Sequence, residues 1–173
     1  MSTPPPYALP PTFLGTSRSD TGAAYCVVGI PFDLGVSVRP GARMAPTAIR
    51  LASRMLCDGR HPGHWSDPLA LDLADLGDLR LPHGDVARSM AAIEQQVASL
   101  AHVVALGGDH TVTLPLLRAL VQRTGPLGLV HFDAHPDTWP DTFGQSPSHG
   151  SVFFDAIAEG LIDCAASIQV GIR

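Results

Sequence analysis

The strongest constraint on the fold is one clear helix set among apolar runs that are too short to be helices. Val86, Met90, Ile93, Val97 and Leu100 recur at steps of four and three, the period of an amphipathic helix with one face on a core. Around it lie short apolar runs at residues 23–30, 69–73, 103–106, 127–132 and 168–172. Continuous runs of this length suit strands buried on both faces. Pro46 opens a further helix through about residue 56, proline being tolerated in a first turn. Another begins near Thr111 or Thr113 and ends before Gly125, and a last one runs from about Gly150 to Glu159. Asp75-Leu76-Gly77-Asp78 reads as the turn that follows the 69–73 strand. Strands alternating with helices imply βαβ units, hence an α/β fold of three layers (αβα) with a mainly parallel sheet and consecutive strands as neighbours.

Size and charge narrow the partners. The chain has 173 residues, 45% hydrophobic and 16% charged, which fits one globular domain over residues 21–173 behind a proline-rich arm over residues 1–20. A formal charge of −5 gives no electrostatic footprint for nucleic acid. The N-terminus lacks the basic and apolar regions of a signal peptide, and no window approaches a membrane span, so the expected compartment is the cytoplasm. Cys26, Cys57 and Cys164 are odd in number and form no C-x-x-C pair, which reads as free thiols under reducing conditions.

Chemistry concentrates where two of the strands end. Asp133-Ala134-His135-Pro136-Asp137 offers potential ligands at every second position, and a strand puts such positions on one face. This oxygen and nitrogen set, without thiolate, suits a hard or borderline divalent ion such as Mn²⁺. Gly107-Gly108-Asp109-His110 follows another strand, and ligands in open α/β sheets gather outside the carboxyl ends of strands. His149 comes from the same edge. His131 shares strand parity with Asp133 but lies deeper, and reads as a core histidine; Asp109 reads as a turn-stabilising carboxylate. His61, His64 and His83 read as solvated, and Asp33 either touches substrate or forms a turn. The glycines between Gly29 and Gly41 lack the lysine of a phosphate-binding loop.

Taken together, these motifs resemble the ureohydrolases, the arginase and agmatinase group, with the nearest likeness to bacterial agmatinases. The likeness also covers Gly41-Ala42-Arg43 with Pro46 and Ile49-Arg50, His149-Gly150-Ser151, Glu159-Gly160-Leu161-Ile162-Asp163 and Gln169-Val170-Gly171-Ile172-Arg173, running in one order from about Cys26 to Arg173. It implies the arginase-like αβα fold and a pair of Mn²⁺ ions. It also implies His110, Asp133, His135 and Asp137 as metal ligands, Asp133 as a bridge between the ions, and His149 as the proton-shuttling histidine. Hydroxide held by the metal pair would attack a guanidinium carbon, turning agmatine into putrescine and urea in polyamine metabolism. The implied partner is a small cationic guanidino substrate, and the implied full-length state a homo-oligomer.

The sequence departs from the family at Pro136 and Ala45 and contains no later strand carrying two further aspartates, so the domain reads as incomplete at its C-terminus. Thr138-Trp139-Pro140 stands where arginases carry an asparagine that grips the substrate's α-carboxylate. That favours a decarboxylated substrate over arginine. Trp139 either lines the pocket mouth or packs on its own domain, and no other substrate-binding residue is assigned. Guanidinobutyrase, arginase and formimidoylglutamase specificities remain alternatives within the class. Outside it, the alternative is a non-catalytic truncated fragment or pseudo-enzyme with weak metal binding.

Overall fold

The computed structural model describes residues 5–56, 60–61 and 63–173. Cys57 and the first four residues of the proline-rich arm lie outside the described residues. The chain gathers into two compact units: residues 1–31, 42–79 and 99–108, and residues 32–41, 80–98 and 109–173.

The first unit is built on strand β1 (Tyr25–Gly29), which lies between β2 (Leu73–Asp78) and β3 (Val103–Leu106), parallel to both. A central strand has no solvent face, so it must be apolar along its length; Cys26, Val27 and Val28 are fully buried. Each such valine contributes roughly 1.5–3 kcal/mol of burial free energy. Val27, Leu73 and Leu106 form the core, against which Phe13, Tyr25 and Val104 pack. Phe13 belongs to the span read as an arm, and next to it Leu14 is buried with its N–H donating to Ser53 Oγ at 2.8 Å. These apolar side chains fold that part of the arm onto the unit.

Helix α1 (Ala45–Ser53) begins with Pro46 in its first turn, as the sequence predicts. The strand expected over residues 69–73 is different. Pro68–Ala70 is a 3-10 turn, and β2 starts at Leu73 and runs through the Asp75–Asp78 segment read as a turn. Two carboxylates can sit at that strand end because Arg50 of α1 meets them. Its Nε and Nη2 donate to Asp75 at 2.8 and 2.9 Å, and Nη1 donates to Asp78. A side chain at position 29 would meet the Asp78 carboxylate and push it away from Arg50, so glycine there leaves room for this pair.

In the second unit, helix α2 (Val86–Val97) starts on an Asp85 cap that accepts from Arg88 N–H at 2.9 Å, and it buries Met90, Ile93 and Val97 on the predicted face. It packs on helix α3 (Thr113–Thr124), which a 3-10 turn at His110–Val112 precedes and Gly125 ends at φ 73°. Helix α4 (Val152–Ala158) completes the core of Leu114, Val152, Phe153, Ala156, Leu161 and Ile162. Strand β4 (Val130–Phe132) pairs in parallel with β5 (Ile168–Val170), placing His131 opposite Gln169.

Consecutive strands are not always neighbours: in the first unit β1 lies between β2 and β3, and in the second β4 pairs with β5. Hydrophobic runs locate strands, but the backbone groups of any parallel strand can pair with those of any other, so order alone does not select partners. Strand parity divides the two-stranded sheet sharply. Val130, Phe132, Ile168 and Val170 are exposed on one face, and His131 and Gln169 occupy the other.

Candidate metal centre

Two loop segments and one strand deliver the site, all within the second unit. Gly107 and Gly108, at φ 69° and 80°, bend the chain after β3 into the 3-10 turn that carries His110. Asp109 holds this bend. Its carboxylate accepts from Thr111 N–H and from Gly35 N–H, each at 2.8 Å, while its own N–H donates to Phe32 O at 2.8 Å. It is the turn-stabilising carboxylate that the sequence suggests, and its bonds leave His110 free to face the end of β4.

Asp133 follows β4 directly and stays in register, its N–H donating to Val170 O at 3.1 Å. Beyond it the chain curls. His135 N–H donates back to Asp133 Oδ1 at 2.9 Å, and Asp137 is held in the left-handed region at φ 50° while its carbonyl accepts from Phe153 N–H at 3.0 Å. A non-glycine residue in that region carries backbone strain, which concentrates at functional sites. The curl breaks strict strand parity, so the five-residue motif does not present its three ligands on one flat face.

The structure gathers His110, His131, Asp133 and Asp137, with one ligand atom from each lying within 4.8 Å of all the others. His110 Nδ1 is 2.5 Å from Asp137 Oδ2, and His131 Nε2 is 3.7 Å from Asp133 Oδ2. His135 is not one of the four. Its side chain is exposed, with Nδ1 at 3.4 Å from Asp133 Oδ1. His131, read from sequence as a core histidine, is buried and lies beside the group, because residues 131 and 133 share a strand face.

Aromatic packing fixes both imidazoles of the group. His110 and His131 stack with centroids 5.1 Å apart at 29°, and Phe153 meets them edge-on at 5.2 and 4.6 Å. The electrostatics suit cation binding. Burial pushes the His131 pKa down and the neighbouring His110 adds to that, so the imidazole is neutral and adds no positive charge that would oppose a cation. The His135 N–H, against a smaller effect of burial, holds the Asp133 carboxyl below its ordinary range. Neutral imidazole and ionised carboxylate are the states that bind divalent metals.

Two cavities meet this group. One of about 300 Å³ is walled by Asp109, His110, Asp133, His135, Asp137 and His149, together with residues 36–39. The other, about 550 Å³, shares His135, Asp137 and His149 and extends past Trp139, Asp141 and Phe143. Trp139 and Phe143 are largely exposed along this wall. His149 is fixed by its N–H donating to Gly35 O at 3.3 Å, and its Nε2 is buried without a hydrogen-bond partner. An unpartnered buried nitrogen is costly, and that of His149 sits in the wall of a cavity lined by Asp109, Asp133 and Asp137. A divalent cation fits this donor set.

Elsewhere, Cys26 and Cys164 are free thiols, and no helix among the described residues is long and apolar enough to cross a membrane.

Comparison with known proteins supplies a family. A family model described as the arginase family matches residues 23–173. The agmatinase of Chromobacterium violaceum is 46% identical over 164 residues, which make up 91% of this chain and 51% of that protein. Among solved structures, the proclavaminate amidino hydrolase of Streptomyces clavuligerus has a TM-score of 0.91 at 37% identity, covering 98% of this chain and 60% of that one. The agmatine ureohydrolase of Thermoplasma volcanium has a TM-score of 0.81 at 30% identity, covering 95% of this chain and 55% of that one. The chain spans about half the length of the curated relatives it matches.

Proposed function

Because the chain belongs to the arginase family and has its α/β fold, we propose that its protein hydrolyses a guanidino compound, agmatine first, to putrescine and urea, with Mn²⁺ as the metal. The observation that carries this reading is the convergence of His110, Asp133 and Asp137 within 4.8 Å beside an open cavity. The names of the relatives, an agmatinase and an agmatine ureohydrolase among them, support the substrate class. Homo-oligomeric assembly and a cytoplasmic location belong to the same proposal.

A guanidinium carbon resists water because its positive charge is delocalised over three nitrogens. A divalent metal pair, when bound, lowers the pKa of water and makes a nucleophile available at neutral pH. His110, Asp133, His135 and Asp137 are the residues proposed to hold it. A carboxylate such as that of Asp133 could serve two ions through its two oxygens, whereas each imidazole could serve only one. The same carboxylates favour a cationic guanidinium in the cavity. His149, with an unpartnered Nε2 in the shared wall, would deliver a proton to the departing amine nitrogen, a role that suits imidazole near neutral pH. Trp139 on the cavity wall offers no side-chain amide to grip an α-carboxylate, which supports agmatine over arginine.

The test is urea release from agmatine, arginine, 4-guanidinobutyrate and formimidoylglutamate by the Mn²⁺-loaded protein. Agmatine is expected to turn over fastest, and His149→Ala to reduce that rate by roughly 10²–10⁴-fold with Mn²⁺ affinity retained. Bound Mn²⁺ with no hydrolysis of any of the four would replace this reading with that of a non-catalytic metal-binding protein.

A further inference from the structure

The proton on His131 is located by its neighbours. Gln169 Nε2 lies 2.9 Å from the Pro136 carbonyl oxygen and 3.1 Å from His131 Nδ1. A carbonyl only accepts, so the amide nitrogen, not its oxygen, must face Pro136. That nitrogen has two hydrogens and can only donate, so its second bond requires a lone pair on His131 Nδ1. A neutral imidazole that accepts at Nδ1 carries its hydrogen on Nε2. The cross-strand pairing of His131 with Gln169 keeps the two side chains on one face, and the stack with His110 and Phe153 holds the ring in place.

The resulting Nε2–H is buried, has no hydrogen-bond partner, and faces Asp133 Oδ2 at 3.7 Å. A nitrogen that carries hydrogen has no lone pair for a metal. The other oxygen of Asp133 already accepts from His135 N–H at 2.9 Å. The carboxylate thus has one donor bonded to Oδ1 and a second aimed at Oδ2.

We propose that His131 is a positioning residue, not a metal ligand: with its Nδ1 held by Gln169, it directs Nε2–H at Asp133 and fixes the orientation in which that carboxylate meets the metal. Pro136 O, Gln169, His131 and Asp133 form one directional chain of donors and acceptors. The proposal rests on the reading of Asp133 as a ligand, whereas the His131 tautomer is independent of it.

The experiment uses the 173-residue chain with ¹⁵N-labelled histidine. Long-range ¹H–¹⁵N spectra of the metal-free protein at neutral pH are expected to show His131 as the Nε2–H tautomer. Gln169→Leu removes the donor to Nδ1, so the hydrogen is no longer held on Nε2 and the donor to Asp133 is no longer fixed. His131→Phe keeps the aromatic stack and removes the donor outright. Both variants should bind Mn²⁺ roughly 10–100-fold more weakly, with unchanged stoichiometry and unchanged thermal unfolding of the metal-free chain. An Nδ1–H tautomer in the unaltered protein overturns the proposal. So does Mn²⁺ affinity equal to that of the unaltered chain in both variants, or loss of a bound ion in His131→Phe, which would make His131 a ligand. Absence of Mn²⁺ binding by the unaltered chain would instead strike the metal centre, and the positioning role would fall with it.

Discussion

Arg50 in the first unit and His131 in the second are equally buried, each 7% exposed, and each faces two aspartates in its own unit. Their surroundings are otherwise opposite. Arg50 meets Asp75 through two donors and Asp78 through a third, and Phe13 N–H and Gly77 N–H complete the Asp75 carboxylate at 2.7 and 3.0 Å. His131 keeps one nitrogen without a partner, and His149 does the same. Buried polar groups are normally satisfied, because each unmet group costs about 1–3 kcal/mol. A cluster whose bonds are complete within the chain reads as structural. A cluster of carboxylates with an unpartnered His149 nitrogen on the wall of a cavity reads as a binding site.

Removing the cation of the saturated cluster should have the largest effect on stability. Arg50→Met leaves Asp75 buried without its counter-charge, and the cost expected for breaking such a pair is about 3–5 kcal/mol in urea denaturation. If the loss is below 1 kcal/mol on that measurement, the cluster is not what secures the first unit. The converse change is Asp133→Asn in the open cluster. Calorimetric titration should show Mn²⁺ affinity down at least roughly 100-fold, as expected when a charged ligand is lost, with metal-free stability within about 0.5 kcal/mol of the parent. A large loss of metal-free stability would erase the distinction between the two clusters.

Acid should separate them further. Burial pushes the Asp75 carboxyl up, but the Arg50 guanidinium and the Phe13 and Gly77 N–H groups outweigh it, leaving its pKa below the ordinary value. A carboxyl depressed in the folded state contributes stability that is fully present above its unfolded pKa, about 3.9, and is lost as pH falls through the folded value. Denaturation midpoints measured from pH 6 downwards should therefore fall over that window, and Arg50→Met should show a shallower fall. An equal slope in both proteins would remove Asp75 as the source. The smallest effect belongs to Arg118 and Glu159, a bidentate pair at 2.7 and 2.5 Å whose side chains are about one-third exposed. Arg118→Ala should cost about 1 kcal/mol or less, and raising the salt concentration should shrink that difference.

Some of this organisation was legible residue by residue. The four-and-three spacing from Val86 to Val97 specified α2 and its buried face, and the apolar runs marked β1 and β3 to within two residues at either end. The Asp75–Asp78 segment misled because aspartate and glycine are turn signals in isolation, and only Arg50, 25 residues earlier, makes a carboxylate acceptable in that strand. The candidate site divides in the same way. Asp133, Asp137 and His110 converge, and His135, whose backbone turns back to Asp133 in place of continuing the strand, stands exposed on the wall of the same cavity.

The sequence by itself determined the local periodicities, the residue types capable of holding a divalent cation, and the family likeness spread along the chain. These depend on near neighbours and on side-chain chemistry, which are written in the order of residues. Tertiary structure alone decided that β1 lies between β2 and β3, that β4 pairs with β5, and that His131 faces Gln169 across that second pair. The choice of strand partner sets which side chains meet across 38 residues of chain, and that contact decides where the His131 proton resides. Strand pairing is a competition among distant backbone groups of equal chemistry, so its outcome is a property of the folded chain.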